Sequence, residues 1–181
     1  MRKLIAALAM ALAATLVYAQ NPSILRPRIE IVSASDEDSG PGLEVFYMGD
    51  EDPRMYYLSL GHLAVGSEMV QVYIDPLTEL FVPLGGTVEE ALARLEEIKD
   101  LFKMLKGQAA DIETLVSMFY PGGDTVTARV VARKFLVSKV LEFSIPTGEE
   151  GLVRAAYVGK SDLGGLIVSL KLYRKIHPKE P

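Results

Sequence analysis

One stretch constrains the fold more than any other: TVEEALARLEEIKDLFKMLKG, Thr87 to Gly107. Val88, Ala91, Leu92, Leu95, Ile98, Phe102 and Leu105 recur at three- and four-residue steps. An α-helix gathers such residues into one stripe, and the stripe needs an apolar layer to sit against. Thr87 with Glu90 three positions on spells a capping box. Glu89, Glu90, Glu96 and Glu97 lie early and Lys99, Lys103 and Lys106 late, the order the helix dipole favours. The spacing predicts a helix over Thr87 to Lys106, ended by Gly107.

The partner layer reads as strands. RIEIVSA (28–34), LEVFYM (43–48), MYYLSLGHLAVG (55–66), EMVQVYI (68–74), TELFVPL (78–84) and LVRAAYV (152–158) are rich in β-branched and aromatic residues, with several alternating. Gly66-Ser67, Asp75-Pro76 and PTGEEG (146–151) read as turns between them. SDEDSGPG (35–42) and GDEDPR (49–54) read as acidic loops. In TVTARVVARKFLVSKVLEFSI (125–145) the apolar phase changes near Phe135, which predicts a bulge or bend. DIETLVSMFY (111–120) fits a strand through Val116, Met118 and Tyr120, or a short helix capped by Asp111.

A second helix is expected over Ser161 to Ile176, with Leu163, Leu166, Ile167, Leu170, Tyr173 and Ile176 on one face and Ser161 or Asp162 as N-cap. A strand through Leu166, Val168, Leu170 and Leu172 is the competing reading. VPLGGTVEEAL (82–92) and AYVGKSDLGGL (156–166) align at an offset of 74, with Gly85 on Gly159 and Leu92 on Leu166. The expected architecture is α+β: an antiparallel sheet with two amphipathic helices on one face, in two strands-then-helix halves that form a pseudo-repeat.

The first segment, MRKLIAALAMALAATLVYAQ, has Arg2 and Lys3 ahead of an apolar run and Val17-Tyr18-Ala19 before Gln20. It reads as a signal peptide over 1–19, leaving 20–181 as a single α+β domain. The expected location is periplasmic or secreted. With no cysteine, a lipid-modified cysteine, disulfides and thiolate metal sites are ruled out, so the protein is not a lipoprotein. No later segment is long and apolar enough to span a bilayer. Net charge is −5, and the charge is uneven. Gln20 to Gly123 holds seven basic and 18 acidic residues, and Asp124 to Pro181 holds ten basic and six acidic. That acidity argues against nucleic acid as a partner.

Gly159-Lys160-Ser161 ends like a P-loop, but the first glycine of that motif would fall on Arg154. The tripeptide is therefore read as a chain-turning glycine, a linker and a helix cap, and no nucleotide cofactor is expected. Asp36, Asp38 and Gly40 resemble the start of an EF-hand loop, but Pro41 and Tyr47 stand where that loop needs Gly and Glu. Asp50, Glu51 and Asp52 read as solvated. The two histidines, His62 and His177, form no zinc pair. No Gly-x-Ser-x-Gly elbow supports a Ser-His-Asp triad. Tyr47, Tyr56, Tyr57 and Tyr73 could offer rings to a sugar but are read as core or sheet-face residues, and tryptophan is absent.

No catalytic, cofactor or metal residue is assigned. The expected function is a non-catalytic exported protein that binds a partner or ligand. One alternative is a small-molecule or lipid carrier with a cavity lined by Phe102, Leu105, Leu166 and Leu170. The other is a hydrolase using paired carboxylates. The basic set Arg129, Arg133, Lys134, Lys139, Lys160 and Lys171 could meet an anion or form a solvated face.

Overall fold

The computed structural model describes residues 28–33, 41–47, 54–67, 70–117, 124–135, 137–148 and 151–178. The expected signal peptide and the two acidic loops lie mainly or wholly outside them. Eight strands form one antiparallel sheet: β1 (Arg28–Ser33), β2 (Gly42–Tyr47), β3 (Arg54–Ser67), β4 (Val70–Gly85), β5 (Ala110–Ser117), β6 (Asp124–Phe135), β7 (Ser138–Pro146) and β8 (Val153–Gly159). Helix α1 (Val88–Asp100) follows β4, and α2 (Lys160–Ile176) follows β8. The class is α+β, and each helix comes after four strands.

Each strand pairs with the next, and β3 also pairs with β8, so the pairing of β3 to β8 runs around a six-strand ring. The bend in β3 allows this. Residues 54–59 pair with β2, while Ala64 to Gly66 pair with β8. Between them the register against β4 shifts at Ser59, His62 and Leu63. Gly61 sits there at φ 73, which L side chains rarely adopt, and its N–H donates to Ser59 Oγ at 3.3 Å.

Three expectations are corrected here. Asp75-Pro76 is not a reversal between two strands: it belongs to one strand, β4, whose register against β3 jumps from Asp75 to Glu79. The extra residues are absorbed as a bulge, which keeps Leu80, Val82 and Leu84 buried. The phase change near Phe135 is a hairpin rather than a bulge, for Phe135 pairs with Ser138. Residues 125–145 hold none of the Gly, Asn or Asp that favours a two-residue loop, so the sequence carries no turn signal. Helix α1 stops at Asp100, short of Lys106, and a 3-10 turn covers Leu101–Lys103. Of the ambiguous 111–120, the described part is strand, Ala110–Ser117, and Met118 to Tyr120 lie outside the described residues.

Core packing follows the sequence stripes closely. Val88, Ala91, Leu92, Leu95, Ile98 and Phe102 are buried in one apolar cluster with Leu163, Leu166, Ile167 and Leu170 of α2. Leu58, Val82, Val130, Leu141, Phe143 and Val158 join it from the strands. Two predicted stripe members point away, since Leu105 is 71% exposed and Ile176 64%. Leu105 lies past the helix end, where the periodicity no longer applies. The helices are tied by exposed ion pairs, Lys171 to Glu96 at 3.2 Å and Arg174 to Glu89 at 3.4 Å.

Candidate functional site

The two strand-to-helix connections settle the role of Gly159-Lys160-Ser161. At the first, Thr87 is the N-cap: Glu90 N donates to Thr87 Oγ1, and Gly86 N and Thr87 N donate to Glu90 Oε2 at 2.8 and 3.2 Å. Gly85 ends β4 at φ 127, and a Cβ there would stand 2.5 Å from Glu90 Cβ. At the second, Gly159 ends β8 and is itself the N-cap residue, without a side-chain cap. Neither Ser161 nor Asp162 caps α2, which corrects the expectation. Both lie inside its first turn, and Ser161 Oγ donates to Asp162 Oδ1 at 3.3 Å. Arg154, where a P-loop would open, is in β8, so the chain before Lys160 is a paired strand and not a loop.

The basic set divides: Arg133 and Lys171 are taken up in ion pairs, while Arg129, Lys134, Lys139 and Lys160 are exposed, the last three near the start of β7. Lys171 pairs with Glu96. Lys139 Nζ donates to the Phe102 carbonyl at 3.3 Å, capping the 3-10 turn. The Arg133 guanidinium grips Glu142 with two nitrogens, one at 2.7 Å. Glu142 lies opposite Tyr157, which the sequence did not single out. Burial pushes the Tyr157 hydroxyl above its usual range, and the nearby Glu142 charge and a hydrogen bond to Glu142 add to that. This cluster is a local ion-pair and hydrogen-bond network across β6, β7 and β8.

Other buried polar side chains are Glu44, Ser59, Glu79 and Thr114. Thr114 Oγ1 donates to the Val126 carbonyl at 2.9 Å. Glu79 lies in register opposite half-buried His62 at the bend of β3, and His62 Nδ1 is buried without a hydrogen bond among the described residues. Among those residues no group of three His, Cys, Asp or Glu is placed to hold a metal ion, and no helix is long and apolar enough to cross a membrane. Tyr56 and Tyr57 are buried, and Tyr57 meets Phe81 edge-on with ring centroids 6.4 Å apart. His177 stacks on Tyr173 at 4.6 Å. Of the four residues proposed to line a cavity, Phe102, Leu166 and Leu170 are packed in the core and Leu105 is outside it.

The surface carries what the sequence reading passed over. Val168, Leu172 and Ile176 form a second apolar row on α2, 66%, 56% and 64% exposed. Two of them are the residues that had lent the segment its strand-like alternation. Leu105 and Val137 stand in solvent at the two turns beside the start of β7.

No protein-family model matches the chain, and no solved structure does. A stretch of 63 residues is 35% identical to the uncharacterized protein BicB of Escherichia coli (strain K12), covering 35% of this chain and 38% of that protein. The match thus spans well under half the length of either protein.

Proposed function

We propose that this is an exported protein, periplasmic or secreted, that acts by binding a partner or ligand rather than by catalysis. Export is read from the charged and apolar N-terminal segment ending at Ala19. Binding rests on one observation: the outer row of α2 leaves Val168, Leu172 and Ile176 in solvent on a helix whose inner row is already buried. Exposed aliphatics that join into one contiguous patch, unlike single scattered ones, mark contact surfaces. In this reading both helices sit on one face of the sheet, and the four-strands-then-helix order, met twice, is a pseudo-repeat.

Two measurements test it. N-terminal sequencing of the protein made in a bacterial host should give Gln20 first, in the periplasm or medium; a cytosolic chain beginning at Met1 would overturn export. A photo-crosslinking residue at Leu172 should give a discrete adduct in the exporting host, while one at exposed Glu97 should not. Equal, diffuse labelling at both positions would remove the binding surface.

A further inference from the structure

One end of the sheet combines exposed aliphatics with lysines. β5 starts there, beside β6 (Ala110 opposite Val130), and β6 turns into β7 between Phe135 and Ser138. The 3-10 turn after α1 meets the same end through the Lys139 to Phe102 hydrogen bond. Gly159 pairs with Val140, so α2 also begins there.

Two turns present aliphatic side chains at this end, with Leu105 71% and Val137 95% exposed. The first is held by its own hydrogen bonds, Leu105 N to Gln108 Oε1 at 2.8 Å and Gln108 N to Leu105 O at 3.0 Å. The second breaks a local rule. A two-residue hairpin loop favours Asn, Asp or Gly, and this one reads Leu136-Val137. Departures from local preference concentrate at functional sites.

Lys103, Lys106, Lys134, Lys139 and Lys160 are all exposed around these turns. Lys103 pairs with Asp100 at 2.7 Å. Neither 101–110 nor 132–141 contains an acidic residue, in a chain of net charge −5. Asp100, Asp111 and Asp162 flank these segments, so five lysines stand against three carboxylates and the end keeps a net positive charge.

We propose that this end docks on an anionic bilayer surface, with Leu105 and Val137 entering the headgroup boundary and the lysines meeting lipid phosphates. The proposal rests on the export reading above and uses a surface separate from the outer row of α2. Two aliphatics on separate turns do not make the core of a protein interface, which needs about 800 Å² on each side. A nucleic acid or an acidic polypeptide would use the lysines but leave both aliphatics in water. A bilayer takes both kinds of group at once. Each lysine near an anionic surface is worth about fivefold in partitioning, so binding is reversible and salt-sensitive.

The chain has no tryptophan, so V137W supplies a single reporter on the exported form. Its emission should shift to the blue with phosphatidylglycerol–phosphatidylcholine vesicles and not with phosphatidylcholine alone. Native protein should co-sediment with the anionic vesicles. K106E with K134E should lower that partitioning about tenfold or more, and L105D with V137D should do so at unchanged thermal stability. All four positions are exposed, so these variants keep the core. No blue shift and no co-sedimentation would overturn the proposal. So would equal binding to neutral vesicles, or polyglutamate capture that L105D with V137D leaves intact. None of these results touches N-terminal sequencing or crosslinking at Leu172, so failure here is distinct from failure of the export or the binding reading.

Discussion

Gly85 and Thr87 show how much a few atoms decide. Gly85 combines a left-handed φ with a Cβ position already taken by the Glu90 side chain at its root, which cannot swing away. Gly85→Ala should therefore cost about 2 kcal/mol of stability in urea unfolding. Thr87→Ala loses only the cap and should cost about 1 kcal/mol. Tyr157 makes a pH prediction. Its raised value means that the folded state keeps the proton after the unfolded chain has released it. Stability is then level below the ordinary tyrosine value of 10.0 and falls as pH rises through the folded value. Alkaline titration by ultraviolet absorbance should lose a late-titrating tyrosine in Tyr157→Phe relative to the native chain.

At the scale of elements, the helix pair is held by burial, with ion pairs as a minor addition. Glu96 is held below the usual carboxylate range by hydrogen bonds from Lys99 and then Lys171. A lowered value contributes stability above the unfolded value, lost as pH falls through the folded one. The side chain is 43% exposed, so solvent screens most of this. Lys171→Ala should cost about 0.5 kcal/mol in low salt and nothing measurable in 1 M salt. The helices were legible in sequence because a 3.6-residue stripe is a local property. Their ends were less so: α1 gives way to a 3-10 turn after Asp100, a change the continuing spacing of Phe102 and Leu105 conceals. The β6–β7 hairpin was hidden for the opposite reason, since its loop lacks the residues that announce a turn. Replacing Leu136-Val137 by Asn-Gly should raise the thermal midpoint by a few degrees, while weakening any contact this end makes.

For the whole molecule, stability resides in the single large cluster between strands and helices. Leu95→Ala or Phe143→Ala, each at a fully buried position, should cost about 3 to 4 kcal/mol in denaturant unfolding. Val168→Ala, on the outer row of α2, should change stability by less than about 0.5 kcal/mol. The sequence by itself determined the two helices, most of their inner rows, the capping box and where most strand residues lie, but not where one strand ends and the next begins, because each of the former depends on neighbours within one or two turns of chain. It also supplied the N-terminal segment from which export is inferred. Only the tertiary structure decided that β3 bends to pair with β8, that Asp75-Pro76 is a bulge, and that Arg133, Glu142 and Tyr157 meet. It alone brought Leu105 and Val137 to one end. Those outcomes depend on register between strands distant in sequence, and no local period encodes register.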